Sequence, residues 1–583
     1  MALNDIRYPL LISIGRLLLI ATIFSGCAGI TKMNDSSAPA VSGSESIDWQ
    51  TSYEEASRLA IARNKPMMLI FYGISSKRLD ERVFSDREVI RLAQNFVCIR
   101  LGADQNEIIQ KYRVQEYPTI IFTDSRGGEY DRAIGYKSQS SFVSILKSAL
   151  IGVEVEYSIK IEQSRSADVK CVLKNVRGRS VLFYLIEKHD KISSISCEST
   201  DGKPGWKEVE NSFWEMQLNT FSMKTITLRY KIELNILSRM DYQPSYISYI
   251  GEDYGIIDCH ALLMIPQGIY ATGKVVVNID IPTGWGVLTP WNEITRSSYN
   301  AQRIEEVTDS VFCIGKFQYI KRQVGDKEVY VVYCGTDKYS SDLESKGEVA
   351  VQIFKDYISR FGDFPFKKYI AIFAAKTPDG KYIHGTAHGL GFAGPIEMGN
   401  TYTLQFMAHE IFHVWNGGVI NQRSHYEAWF KEGFTQYYGY ITPYRAGLYS
   451  ENVFSQYLKN DYNDYLRKYE LGEDMALYRV NEATARKEGY SQSESIRVWI
   501  MYSKGALIAS LMDDEIQNKT GGKKTLDDLM NYMFHQYRDK QYSSDDILKA
   551  VNAVTEKDFT KFFTDYIYGR AKLPTQKRMK DEG

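Results

Sequence analysis

His409-Glu410-Ile411-Phe412-His413, followed after eighteen residues by Glu432 within Trp429-Phe430-Lys431-Glu432-Gly433, decides how this 583-residue chain is read. Two histidines four apart on a helix share one face, so His409 and His413 can converge on one metal ion while Glu410 points toward a water on that ion. A third ligand has to come from another element, and Glu432 is the candidate. The interval lets a first helix end near Gly417-Gly418 and a second run back alongside from about Tyr426. With eight histidines in the chain, the five-residue pattern arises by chance in roughly one chain in a hundred. Two imidazoles and a carboxylate suit Zn2+ with one position open, where a coordinated water becomes acidic enough for Glu410 to act as general base.

The run HEIFHVWN followed by WFKEGFTQYYG resembles the gluzincin metallopeptidases, whose ligand set is HExxH-x18-E. Trp415-Asn416, directly after the second histidine, is similar to the glycyl aminopeptidase family (peptidase family M61). Tyr502-Ser503-Lys504-Gly505-Ala506 resembles the Tyr-x-Lys-Gly stretch in which gluzincins place the tyrosine that stabilises the transition state. The resemblance implies a zinc metallopeptidase acting on a peptide or protein substrate. It implies zinc on His409, His413 and Glu432, catalysis by Glu410 and Tyr502, and a thermolysin-like catalytic domain with a helical C-terminal subdomain.

One expected element is missing. Relatives bind the substrate amine with a glutamate in a short Gly-rich strand before the zinc helix. The corresponding stretch here, His384 to Gly394, has no acid, and Glu397 is out of register. Its glycines suit close approach of an extended peptide to an edge strand, which makes Gly389, Leu390 and Gly391 the expected substrate-binding residues.

Upstream, residues 1–27 combine Arg7 and Arg16 with an apolar run from Leu17 to Phe24, and end in Ser25-Gly26-Cys27. This reads as an export signal. Phe24-Ser25-Gly26-Cys27 resembles a bacterial lipobox, which implies lipidation of Cys27 and a lipoprotein held at a membrane, on the periplasmic or cell-surface side. Residues 28–47, rich in Ser, Ala, Asp and Gly, read as a flexible tether. Residues 48–151 alternate strands with helices, and Val114 to Phe122 with Pro118 resembles a thioredoxin-like domain and its cis-proline. Where that family carries its cysteine pair, this chain has Gly73-Ile74-Ser75-Ser76-Lys77-Arg78, so the domain is expected to be redox-inactive.

Residues 152–318 show period-two segments such as Val169 to Leu173 and Thr225 to Tyr230 between Gly and Pro turns, an all-β domain. Residues 319–583 form the expected catalytic domain, with a helix at Leu343 to Phe361 and a capping box at Thr555 to Asp558. The fold class is therefore multidomain α+β. With 44% hydrophobic residues the chain can bury several cores. A net charge of −1 gives no electrostatic basis for nucleic-acid binding. Seven cysteines, Cys27 among them, show no metal spacing. A second function class stays open: a non-catalytic, membrane-anchored binding lipoprotein with a vestigial peptidase fold.

Overall fold

The computed structural model describes residues 46–576 apart from 64, 74–75, 103, 126, 186–190, 201, 203–204, 211–212, 238–244, 268, 270–274, 336–341, 365, 384, 388–389, 396–399, 480–498 and 539–540. The expected signal, lipidated Cys27 and residues 28–45 of the expected tether lie outside the described residues, whereas Ile47, assigned to the end of that tether, is buried in the core of the first unit. Among the described residues no helix is long and apolar enough to cross a membrane.

The first unit is a five-stranded sheet in the order Trp49–Gln50, Val97–Leu101, Met67–Phe71, Thr119–Thr123, Glu129–Ile134. The first three strands are parallel and the last two antiparallel. Met67–Phe71 is apolar throughout because both its faces are covered. Met68 and Ile70 enter one core with the helices Arg87–Ala93 and Gln139–Ala149, whereas Met67, Leu69 and Phe71 enter a second core with Ala56 and Ala60 of helix Tyr53–Arg63. Asp86 caps Arg87–Ala93 by accepting from the Glu88 and Val89 amides. The Tyr117–Pro118 peptide is cis.

The middle unit is built on one long antiparallel strand pair. Ser166–Tyr184 and Phe213–Glu233, of 19 and 21 residues, pair antiparallel with register shifts between Gln217 and Ile226. Seven further strands extend this sheet to nine, and a second sheet of six lies beside it. Two short helices, Cys259–Leu262 and Ile304–Thr308, interrupt the otherwise all-β region. The first unit docks on this strand pair through Arg177, which is 3% exposed. Its guanidinium pairs with Asp131 at 2.9 Å, donates to the Ser148 carbonyl at 2.7 Å and lies over the Tyr130 ring. Gly178 sits at φ +125°, with Glu129 O 3.0 Å from where a Cβ would be, so this irregular point of the strand admits only glycine.

The last unit centres on a sheet in the order Phe317–Val324, Lys327–Cys334, Lys368–Ala374, Gly391–Pro395, Gly385–Ala387. Helix Leu343–Phe361 links two parallel strands of it. Phe317–Val324 crosses the expected boundary at 318 and pairs wholly within this sheet. The expected substrate strand also needs correcting. The edge is Gly385–Ala387, whereas Gly391 is paired on both sides, to Ile370 and to Ala387. A Cβ on Gly391 would lie 2.2 Å from Ile370 O, and Leu390 is buried, so both serve sheet packing; Gly389 lies outside the described residues. Helical elements fill the C-terminal part. Capping boxes form at Thr525/Asp528 and Ser543/Asp546, not at the expected Thr555. Thr555 is instead the last residue of helix Ser544–Thr555, and its hydroxyl donates back to the Val551 carbonyl.

Candidate metal centre

His409 and Glu410 lie in the last turn of helix Asn400–Phe412, and His413 directly follows it. The helix ends earlier than the glycines predict. Residues 413–420 turn tightly, with the Gly418 amide on the His413 carbonyl at 2.9 Å and Gly417 at φ +143°. The chain returns through a π-helical turn, Trp429–Phe434, that carries Glu432, and continues as helix Thr435–Arg445. A second π turn, Ile500–Lys504, carries Tyr502. Such turns are uncommon and concentrate at functional sites. The two cross at Gly433 and Gly505: a Cβ on Gly433 would sit 2.4 Å from the Gly505 Cα. Only this glycine pair lets the turns bearing Glu432 and Tyr502 approach so closely.

The nearest ligand atoms of His409, His413 and Glu432 all lie within 4.8 Å of one another, and among the described residues this is the one such cluster of three metal-ligating side chains. Glu432 Oε2 is 3.3 Å from His413 Nε2 and 3.8 Å from His409 Nε2, while Oε1 faces Lys431 Nζ at 3.8 Å. The imidazoles meet edge to face at 4.9 Å. Tyr502 stacks on His409 with ring centres 5.7 Å apart. Donor chemistry and spacing fit a zinc ion held by two imidazoles and one carboxylate. Glu410 stands outside the ligand cluster.

Sequence reasoning missed the groups that orient these ligands. His413 Nδ1 lies 3.0 Å from the Asn416 carbonyl, so Nε2 is the nitrogen turned to Glu432 and the metal position. The fully buried Asn416 amide also donates toward Phe430 O, Lys431 O and Thr435 Oγ1 at 3.1–3.2 Å, tying the turn after His413 to the turn bearing Glu432. The signal was Asn416 itself, which sequence reading used only as a family mark.

Burial lowers His409 to about 3, with His413 adding to the effect. Burial also pushes Glu410 up to about 7. For Glu432, burial alone would raise the carboxyl, but His413 bonded to it, Lys431 and His409 outweigh this and hold it well below the usual range. Burial pushes His413 down, but Glu432 bonded to it and Glu410 together outweigh this, for a net rise. A metal must displace that proton. In the metal-free chain the His413–Glu432 pair stabilises the fold fully below His413's ordinary value of about 6.5, and this contribution is lost as pH rises through the raised value. Zinc affinity is therefore expected to fall about tenfold per pH unit once pH drops below the raised His413 value. Chelator competition between pH 5.5 and 8 checks this, and a flat profile would contradict the pair.

Residues 397–566 match the family described as Peptidase family M1 domain. Among solved structures, the aminopeptidase N family protein from Idiomarina loihiensis superposes with a TM-score of 0.57 at 18% identity, over 72% of this chain and 77% of that one. The M1 zinc metallopeptidase from Deinococcus radiodurans gives 0.51 at 13% identity, over 73% and 96%. Human endoplasmic reticulum aminopeptidase 2 is 24% identical over 160 residues, which is 27% of this chain and 15% of that protein. The thiol:disulfide interchange protein DsbD of Yersinia pestis is 30% identical over 100 residues, 15% of this chain and 17% of that one. The chain thus spans about a sixth of the length of these curated relatives. What it shares with the solved structures is the fold of the M1 zinc metallopeptidases, and the stretch that matches the M1 domain holds all three candidate ligands, Glu410 and Tyr502.

Proposed function

We propose that this chain hydrolyses peptide bonds with zinc held by His409, His413 and Glu432. The convergence of those three side chains, with Glu410 beside them and Tyr502 stacked on His409, carries the reading. Zinc, when bound, supplies Lewis-acid polarisation and a more acidic water. Glu410, held up to about 7 by burial in the metal-free chain, would accept a proton from the attacking water and pass it to the leaving amine. The Tyr502 hydroxyl donates to the oxyanion that develops on the scissile carbonyl. Trp415-Asn416 supports the narrower placement beside the glycyl aminopeptidases. The sheet order of residues 49–134 and the stretch like DsbD support a thioredoxin-like first unit, redox-inactive because residues 73–78 contain no cysteine. The lipobox-like end of residues 24–27 supports export and anchoring through Cys27.

Substrate choice follows from the edge strand. Gly385-Thr386-Ala387 carries no carboxylate to pair with a substrate ammonium, so a charge-assisted amine contact is missing there. An N-acetylated peptide is expected to be cut at a rate within about threefold of its free-amine counterpart, since no such pairing is lost. Mass spectrometry of digests by the zinc-loaded chain reads the ratio. Strict dependence on a free amine, lost in Glu397→Gln, would assign the anchor to Glu397. Cleavage of neither peptide would favour the binding lipoprotein.

A further inference from the structure

Lys504 closes the π turn that carries Tyr502, and its side chain is anchored on a different part of the chain. Its Nζ donates to Asp474 Oδ1 at 2.6 Å and to the Met475 carbonyl at 2.7 Å, with the lysine and aspartate side chains only 1% and 4% exposed. The same ammonium lies 6.0 Å from the centre of the Tyr465 ring, on helix Glu451–Glu470. The C-terminal stretch completes this socket. Arg570 donates to the Asp474 carbonyl at 3.2 Å, and the Leu573 amide donates to the Tyr465 hydroxyl at 2.9 Å. Asp474 Oδ2 is buried and makes no hydrogen bond among the described residues, so the carboxylate gives up its solvation for the single bond to Lys504.

Stability alone does not account for such a pair. Taking two charges out of water costs about as much as their attraction returns, and apolar side chains of similar volume fill a core equally well. What the pair adds is placement: an ammonium held by two acceptors fixes the backbone that bears it. Here that backbone is a π turn, an uncommon geometry that its surroundings must hold. Two adjacent residues hold it. Gly505 lies against Gly433 of the turn bearing Glu432, which sets how near Tyr502 comes to the ligands. Two bare backbones in contact have no side chain to resist sliding or rotation, and Lys504, two residues after Tyr502, supplies that restraint.

We propose that Lys504, through its buried ion pair with Asp474, is a positioning residue for Tyr502: the pair fixes the turn so that the Tyr502 hydroxyl meets the developing oxyanion. The proposal rests on the zinc hydrolase reading given above. Lys504→Met combined with Asp474→Leu removes both charges at similar volume and strands neither, so the chain is expected to fold. Zinc affinity should stay within twofold of wild type, because neither residue belongs to the ligand cluster. The same variant should lose about tenfold in kcat with KM within twofold, a smaller loss than the ~10²-fold expected from deleting the hydroxyl itself. In a Tyr502→Phe background the two changes should alter kcat by less than twofold, since no hydroxyl is left to place. Asp474→Asn keeps an oxygen for Lys504 and removes only the counter-charge. It should lower kcat less, by the same route, and supplies the same comparison if the charge-free variant does not fold.

The experiment is peptide kinetics of the zinc-loaded full chain and these variants, alongside chelator competition for zinc. Wild-type kcat in the charge-free variant would overturn the proposal while leaving the hydrolase reading in place. An undiminished loss in the Tyr502→Phe background would also overturn it, because the pair would then support the fold without placing the hydroxyl. If the wild-type chain binds zinc but cleaves no peptide, the hydrolase reading itself fails, and the proposal of a residue positioned for that reaction falls with it.

Discussion

Replacing Glu410 with glutamine is expected to leave zinc bound and to cut peptide hydrolysis by about 10²- to 10⁴-fold, the contribution of a positioned proton acceptor. Glu410 is the residue for which metal binding and chemistry separate most cleanly. It lies on the ligand helix between His409 and His413, yet the cluster of mutually close ligand atoms does not include it. In the metal-free chain burial holds its carboxyl up, at about 7. Glutamine matches its shape and cannot accept the proton. Metal analysis of the purified variant beside kcat/KM on one fluorogenic peptide makes the comparison. Residual activity within tenfold of wild type would remove Glu410 from the mechanism.

His413→Ala is expected to lower zinc affinity by well over 100-fold, more than the loss of an orienting partner costs. His413 is the better-prepared of the two imidazoles. Its Nδ1 lies 3.0 Å from the Asn416 carbonyl and its Nε2 is 3.3 Å from Glu432, the shorter of the two histidine-to-carboxylate distances. Removing it leaves one imidazole and a buried carboxylate whose remaining cationic neighbour is Lys431. Equilibrium dialysis against a zinc buffer gives the affinity directly. Wild-type zinc retention would contradict the ligand set.

The convergence of His409 and His413 was legible in the sequence because it is local: a spacing of four on a helix puts both on one face whatever surrounds them. Helix Leu343–Phe361 was legible for the same reason, its buried positions recurring at helical spacing. Strand lengths were not. Val169 to Leu173 and Thr225 to Tyr230 read as short segments, yet they are parts of strands of 19 and 21 residues whose length depends on partners found only on folding. Gly391 read as a surface for peptide, and its reason is the backbone of Ile370, a strand neighbour twenty-one positions away in sequence. Thr555 has the residue pattern of a helix start, but Ser543 opens that helix twelve residues earlier. Gln436, Tyr440 and Asp461, joined by hydrogen bonds, carry no local signature, since what brings Asp461 to the other two is the packing of one helix on another.

The stretch between His413 and Glu432 is held shut from a distance. Asn421–Gln422 pairs in parallel with Gln541–Tyr542, and the Arg423 amide donates to the Tyr542 carbonyl at 2.7 Å. Glu427 accepts from the Ser544 amide at 3.1 Å, 117 positions along the chain, and Trp429 reaches the same serine through its indole N–H. On a growing chain, both histidines and Glu432 leave the ribosome long before the residues that clasp the loop between them. Contacts of such separation close late. Until Gln541 to Ser544 are made, the nascent chain lacks these contacts, so the loop between the candidate ligands is clasped only by residues made well after them.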